Sequence, residues 1–291
     1  MRDVEYFSPE TLDEAAALLL AAGNQARPLA EGTDLITEVI EDQRTLCMVL
    51  DLKRIPELNR LDYDERNGLR IGAAVPFRTL LEFPPIHHLY PMLADGSAPE
   101  GTGELSGSAT LGGHLGREAS AVQMAPPLIC LRASAAIYGP HGWSELAVEA
   151  LLAGGGRILL QPGEFVVDLR FPAPPPRSNG AYLRAVSGKQ SDSAIAGVGA
   201  FVALEHDLTT CCGARLGLCG VVPVPMRALE AERFLSGKVL EDAVLQEAAD
   251  LTARSALPPA GSTQDSLEVV RSLTRRAIRK ALERARTTAK G

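Results

Sequence analysis

The sequence predicts an α+β protein: a two-lobed N-terminal unit, then an α+β C-terminal domain made of a small antiparallel sheet plus helices. Three observations carry this. Near the N-terminus, two strand-like segments are joined by a helical stretch, a βαβ pattern. The stretch "FPAPPPRSNG" (171–180) is rich in proline and lacks hydrophobic periodicity, as a linker does. Beyond it, three short strand-like segments precede three helical ones, the order of an α+β domain. The expected boundaries are 1–57 for the first lobe, 58–172 for the second and 178–291 for the C-terminal domain.

The elements follow in order. "SPETLDEAAALLLAAG" offers Ser8 or Thr11 as N-cap, with Pro9 and Glu10 at or just before the helix start and Gly23 as C-cap. Leu12, Ala15, Ala16, Leu19 and Leu20 share one face of that helix. Residues 27–30 read as a short strand and 31–34 as a turn into a helical stretch. "LCMVLDL" (46–52) is apolar throughout, which suits a strand buried on both faces. Pro56 in "KRIPELNRL" closes the first lobe. In the second lobe Leu69 and Ile71 alternate as in a strand, "PFRTLLE" starts a helix, and "PPIHHLYPMLADG" is a proline-bounded helical segment. "SGSATLGGHLGREASAVQMAPPLICL" (106–131) holds a small-residue turn, a glycine pair and a helix. "ASAAIYG" and "RILLQPGEFVVDLRFP" read as strands, with turns at "GPHGW" and "QPGE". In the third part "GAYLRAV", "AIAGVGAFVALE" and "ARLGLCGVV" are strands. "MRALEAERFLSG", "LEDAVLQEAADLTARSA" and "SLEVVRSLTRRAIRKALERARTTAKG" are helices. The last is basic toward its C-terminal end, which suits the helix dipole, and its charge run reads as a solvated face.

Composition narrows the function. The 291 residues are 46% hydrophobic, enough for sizeable cores in two or three domains. A formal net charge of −7 argues against non-specific nucleic-acid binding, which needs basic patches to release counterions. No apolar run approaches the length of a membrane span. The N-terminus carries acids where a secretory signal needs a positive start, so a cytoplasmic protein is expected. The five cysteines, Cys47, Cys130, Cys211, Cys212 and Cys219, include no Cys-x-x-Cys pair, which speaks against a disulfide framework or a zinc or iron–sulfur site. They read as buried small hydrophobes, with Cys211, Cys212 and Cys219 the one grouping suited to a metal. His87 and His88 are expected on the surface, His141 in a turn and His206 at a hairpin end. No acid–base pair stands at a useful spacing, and no residue is assigned a catalytic role.

Two turns remain, "LAEGTDL" and "SGSATLGGHL". Neither has the P-loop order or the Gly-x-Gly-x-x-Gly dinucleotide fingerprint. Each holds a threonine close to glycine, each precedes an apolar segment, and they lie in different lobes. Either they are tight corners, or a diphosphate between them receives N–H and hydroxyl donors from both sides.

The segments "FSPETLDEAAALL", "PLAEGTDLI", "VLDLKRIPEL", "LRIGAAVPFRTL" and "ATLGGHL", followed by "GAYLR", "DSAIAGVGA" and "GLCGVVPVPMRALEAE", resemble the FAD-binding medium subunit of the molybdenum hydroxylases in the same order. That family includes carbon monoxide dehydrogenase, xanthine dehydrogenase and aldehyde oxidoreductase types. The resemblance implies a two-lobed vanillyl-alcohol-oxidase-like FAD-binding domain followed by an α+β C-terminal domain, with FAD extended between the lobes. It implies an oxidoreductase subunit, in a heterotrimer doubled by two-fold symmetry. The expected partners are a small subunit carrying two 2Fe–2S clusters and a large molybdopterin subunit. Electrons would pass through the clusters to FAD and on to an external acceptor (NAD, a quinone, a ferredoxin or oxygen).

The family's first motif falls on Ala30, Glu31, Gly32, Thr33, Asp34 and Leu35, whose amides around Gly32–Asp34 would face the diphosphate. Its second falls on 110–114, with Thr110, Gly112 and Gly113 at the cofactor. Gln123 stands at the ribose-contacting position, and Arg184 and Lys189 at basic positions of the C-terminal domain. Glu31 replaces the family's first glycine, His114 an asparagine and Gln123 an aspartate. A carboxylate at 31 repels a diphosphate unless it turns outward. The alternatives are a structural subunit of the same complex that has lost its flavin, and a stand-alone small-molecule oxidase. Trp143 is either a turn residue at the core edge or a flavin-stacking ring, and Tyr182 either a ring near the flavin or a strand residue packed on helices.

Overall fold

The computed structural model describes residues 4–29, 48–97, 109–115, 118–152, 160–186, 194–256 and 264–289. Three sheets organise them. β1 (Glu5–Phe7), β2 (Ala26–Leu29) and β3 (Met48–Asp51) form a parallel sheet in the order β1-β3-β2, with α1 (Leu12–Ala22) between β1 and β2. The segment joining β2 to β3 lies outside the described residues. β1 was not legible in the sequence: it has three residues, two of them exposed, and only its pairing with β3 defines it.

α1 starts where Thr11 Oγ1 accepts the Glu14 N–H at 3.2 Å and ends at Gly23, whose φ of +53° suits glycine. Thr11, not Ser8, is therefore the cap. Ala15, Ala16 and Leu19 are buried, whereas Leu20 is 50% exposed. Leu20 sits about 100° around the helix from Leu19, off the flank that meets the sheet.

β4 (Leu61–Asp64), β5 (Gly68–Gly72), β6 (Ser134–Gly139), β7 (Gly142–Ala147) and β8 (Phe165–Phe171) form an antiparallel sheet in the order β4-β5-β8-β6-β7. Its helices are α2 (Phe77–Glu82), α3 (Pro84–His88), α4 (Pro91–Ser97), α5 (Leu111–Leu115), α6 (Glu118–Cys130) and α7 (Val148–Leu151). Asp168 on β8 is fully buried. It accepts from Arg70 Nε on β5 and from Arg170 Nε on its own strand, both at 2.9 Å. Trp143 lies within β7, not in a turn. β7 is an edge strand with only β6 beside it, so the ring stays 52% exposed and meets Tyr138 edge-on at 5.2 Å.

β9 (Ser178–Val186), β10 (Ala194–Leu204), β11 (Cys211–Cys219) and β12 (Met226–Arg227) form an antiparallel sheet in the order β12-β11-β10-β9. α8 (Leu229–Leu235), α9 (Asp242–Ser255) and α10 (Gln264–Thr288) follow. Met226 and Arg227 pair with Leu218 and Gly217, so the segment expected to be wholly helical begins as a strand. The irregular stretch between the second and third sheets is only 172–177. Phe171 and Ser178 already belong to strands, and Ser178 and Asn179 are buried against the second lobe.

The cysteines divide by strand alternation. Cys130, Cys211 and Cys219 are buried, as expected, while Cys212 is exposed, because neighbours on a strand face opposite sides. Burial pushes the Cys130 and Cys219 thiols up to about 12 and Cys211 to about 11. Cys47 lies outside the described residues. No group of three metal-ligating side chains occurs among the described residues, and none of their helices is long and apolar enough to cross a membrane. His87, His88, His141 and His206 are exposed.

The second lobe and the C-terminal domain are closely joined. α6 crosses the glycine face of β10 and β11: a Cβ on Gly217 would lie 3.0 Å from Pro126 Cα. Arg215 Nε and Nη2 donate to the Ile129 carbonyl at 3.1 and 2.9 Å, satisfying a carbonyl at the end of α6. Asp95 on α4 accepts from Arg284 Nη1 at 2.6 Å, Arg284 Nη2 at 3.0 Å and Lys280 Nζ at 3.0 Å. The basic run of the last helix is thus only partly a solvated face. Arg275 and Arg279 are exposed and pair along α9, but Lys280 and Arg284, one turn apart, face Asp95.

Burial of Asp95 opposes its ionisation. Hydrogen bonds from Arg284, the Tyr182 N–H and Lys280 outweigh that and hold its carboxyl below the usual range. A depressed folded-state value means the stability Asp95 contributes is fully present above the ordinary carboxylate value of about 4 and is lost as pH falls through the lowered value. Urea midpoints measured from pH 6 to pH 3 are expected to fall more steeply for the parent than for Asp95→Asn. Parallel profiles would show that Asp95 is not the group titrating.

Candidate functional site

The second glycine turn is built on the end of β5. Pro76 and Thr110 form an isolated antiparallel bridge, and Phe77 N–H donates to Ala109 C=O at 2.7 Å. Thr110, 1% exposed, then starts α5: its Oγ1 accepts the Gly113 N–H at 3.0 Å, and its carbonyl accepts the His114 N–H at 3.0 Å. The glycine pair is therefore helical rather than part of an open turn. Threonine, a strong N-cap, closes the segment on itself before a wider loop forms.

Gly112 donates its N–H to Ala73 C=O at 3.2 Å, and a Cβ there would lie 2.5 Å from that oxygen. It is glycine because two backbones touch. His114, at the family's asparagine position, packs edge-on against Phe77 with ring centroids 4.8 Å apart, and its Nδ1 lies 3.2 Å from the Thr110 carbonyl. The N–H groups of Gly112, Gly113 and His114 are all taken up within the corner, by Ala73 and Thr110, so the segment is a tight, internally bonded corner.

α6 follows two residues after α5 and carries Gln123 across the seam to β9. There Arg184 Nη1 donates to Gln123 Oε1 at 3.4 Å. Two residues assigned separately, 61 positions apart, are brought together. Tyr182, on the same strand, is 2% exposed and its hydroxyl lies 3.8 Å from Cys219 Sγ. A Cβ on Gly197 would lie 2.5 Å from that hydroxyl. Its ring is thus a strand residue of the core.

Ala30, Glu31, Gly32, Thr33, Asp34, Leu35 and Lys189 lie outside the described residues. Among the rest, Thr110 is buried with its hydroxyl accepting the Gly113 N–H, so the side chains suited to phosphate oxygens or sugar hydroxyls are the carboxamide of Gln123 and the guanidinium of Arg184. Residues missed by sequence reasoning are Asp95, which joins α4 to β9 and α10, and Arg215, which joins β11 to the end of α6. The only signal for Asp95 was a carboxylate inside the apolar segment "PMLADG".

Comparison with known proteins matches this architecture along its length. Residues 2–174 match the family described as the FAD binding domain in molybdopterin dehydrogenase, and residues 181–285 the CO dehydrogenase flavoprotein C-terminal domain. The carbon monoxide dehydrogenase medium chain of Afipia carboxidovorans is 28% identical over 286 residues, covering 98% of each chain. The 6-hydroxypseudooxynicotine dehydrogenase complex subunit alpha of Paenarthrobacter nicotinovorans is 25% identical over 287 residues, covering 98% of this chain and 96% of the relative. Among solved structures, reconstituted CO dehydrogenase from Oligotropha carboxidovorans has a TM-score of 0.86 at 25% identity, covering 97% of this chain and 98% of that one. Quinoline 2-oxidoreductase from Pseudomonas putida 86, at 24% identity and a TM-score of 0.85 over 97% and 98% of the two chains, shares the fold. The chain belongs to the FAD-binding medium subunits of the molybdopterin-dependent dehydrogenases, oxidoreductase subunits whose cofactor on this chain is FAD.

Proposed function

We propose that this subunit is the electron relay of a cytoplasmic molybdenum hydroxylase. It takes electrons from 2Fe–2S clusters of a small partner subunit, downstream of a large molybdopterin subunit, and passes them through FAD to an external acceptor. The observation that carries the reading is the meeting of Gln123 and Arg184 across the seam between α6 and β9. The contact supports the reading because side chains able to bind phosphate or sugar groups, one from each part of the chain, meet there.

In this reading the chain divides into a first lobe at 1–57, a second at 58–172 and a C-terminal domain at 178–291. The amides of Gly32–Asp34, with Ala30, Glu31 and Leu35 flanking them, and the Thr110–Gly113 corner receive the diphosphate from opposite sides. Gln123 serves the ribose, and Arg184 and Lys189 supply positive charge. FAD, when bound, supplies the exchange between the single electrons of the clusters and the electron pair of the acceptor. The residues bind, orient and screen it.

The test is co-expression with the cluster and molybdopterin subunits. FAD is released on denaturation, and the flavin band bleaches anaerobically on adding the large subunit's substrate only when the cluster subunit is present. A complex that releases no FAD, or one whose flavin bleaches without the clusters, overturns the relay.

Glu31 places a carboxylate in the diphosphate motif. Glu31→Gly is expected to tighten FAD binding by about 1 kcal/mol, roughly fivefold in Kd, by removing a screened repulsion. Equal constants measured by flavin fluorescence titration would mean that the carboxylate turns away from the diphosphate.

A further inference from the structure

We infer that Asp95 is a positioning residue for the flavin site, acting through strand β9. The inference rests on the proposed placement of FAD at Gln123 and Arg184.

β9 is the last strand of its sheet, with β10 on one side only. Its other edge therefore presents backbone groups that a strand would normally pair. On that edge the Tyr182 N–H donates to Asp95 Oδ2 at 3.0 Å, and the Gly180 carbonyl accepts from Arg284 Nη1 at 2.8 Å. Arg284 also binds Asp95, and Lys280 binds it too. One carboxylate–guanidinium pair thus presents an acceptor and a donor to the strand edge, as a neighbouring strand would. The acceptor comes from α4 of the second lobe and the donor from α10. Asp95 is well shielded, its side chain 13% exposed, so the pair is held in one place rather than averaged by solvent.

Arg184 lies two residues beyond Tyr182 on the same strand and therefore on the same face. Its contact with Gln123 is long, 3.4 Å, near the limit at which a hydrogen bond keeps its strength. A shift of β9 by a fraction of an ångström decides whether that contact exists. Asp95 fixes where β9 sits relative to the second lobe, whose helix α6 carries Gln123. The hydrogen bonds of Asp95 go to the Tyr182 N–H, Lys280 and Arg284, so its effect on Arg184 runs through the strand.

The test uses the full-length apo chain titrated with FAD and read by quenching of flavin fluorescence. Asp95→Asn and Arg184→Gln are each expected to weaken binding about tenfold. The double variant is expected to be no weaker than Arg184→Gln alone, because Asp95 acts through Arg184. Arg271→Gln breaks a pair between α10 and α9 in the same domain. It is expected to leave the constant within about twofold, which separates positioning from general loosening of the domain. The inference is overturned if Asp95→Asn binds like the parent while Arg184→Gln is weakened, or if the two effects multiply in the double variant. An unchanged Arg184→Gln removes the placement of FAD at Arg184, and the inference falls with it.

Discussion

Gly112→Ala is expected to yield a folded but colourless chain. The added Cβ would lie 2.5 Å from the Ala73 carbonyl oxygen and 2.6 Å from Ala73 Cβ, both closer than any unstrained contact. Neither obstacle is the end of a flexible side chain, so α5 as a whole must move. That movement stretches the Gly112–Ala73 hydrogen bond and pulls on Thr110, whose hydroxyl and carbonyl are bonded to Gly113 and His114 of the same helix, against its bridge to Pro76. Overpacking of this kind costs about 1–3 kcal/mol. The functional effect is larger, since the corner proposed to hold the diphosphate loses its seat, and FAD occupancy is expected to drop at least about tenfold. The measurements are released flavin per polypeptide and the thermal midpoint. A variant with full flavin and an unchanged midpoint would show that the corner tolerates displacement and does not bear on the cofactor.

Asp168→Ala is expected to cause the largest loss of stability among changes away from the cofactor. Asp168 is fully buried and takes hydrogen bonds from two guanidinium groups, Arg70 on β5 and Arg170 on β8. Breaking a buried pair from one side costs about 3–5 kcal/mol, because the remaining charge is left without compensation. Arg70 and Arg170 are 23% and 41% exposed and regain some water, so the lower end, about 3 kcal/mol, is expected. Asp168→Asn keeps the size and one acceptor and should cost less. The change also reaches the site: Asp168 pairs with Gly72, and the next residue, Ala73, donates its N–H to Val167 C=O and accepts from Gly112. Urea unfolding of the full chain checks it. A loss under about 1 kcal/mol would mean the cations find other partners.

The sequence by itself determined which kind of protein this is and where most of its regular structure lies. Period and punctuation sufficed for α1, with Gly23 at its end and its start narrowed to Ser8 or Thr11, for the β5–α2 segment, and for the three long strands and last helices of the C-terminal part. Each depends on interactions within a few residues. The ordered set of segments from "FSPETL" to "PMRALEAE" carried the family, because many short matches in one order are specific where one glycine turn is not.

What depends on distant residues stayed hidden. β1 exists only through β3, and β12 only through β11, since two or three residues hold no period. Trp143 is exposed because the sheet ends at β7, and Cys212 because the pleat turns it away from Cys211. The glycine pair at 112–113 is helical because Thr110 caps it and Gly112 bonds Ala73, 39 residues away in sequence. The charges of the last helix read alike in one dimension. Only packing against α4 separates Lys280 and Arg284, which bind Asp95, from Arg275 and Arg279, which face α9. Local propensity is written residue by residue, whereas a seam such as Gln123–Arg184 forms only when the chain has folded far enough to bring its two sides together.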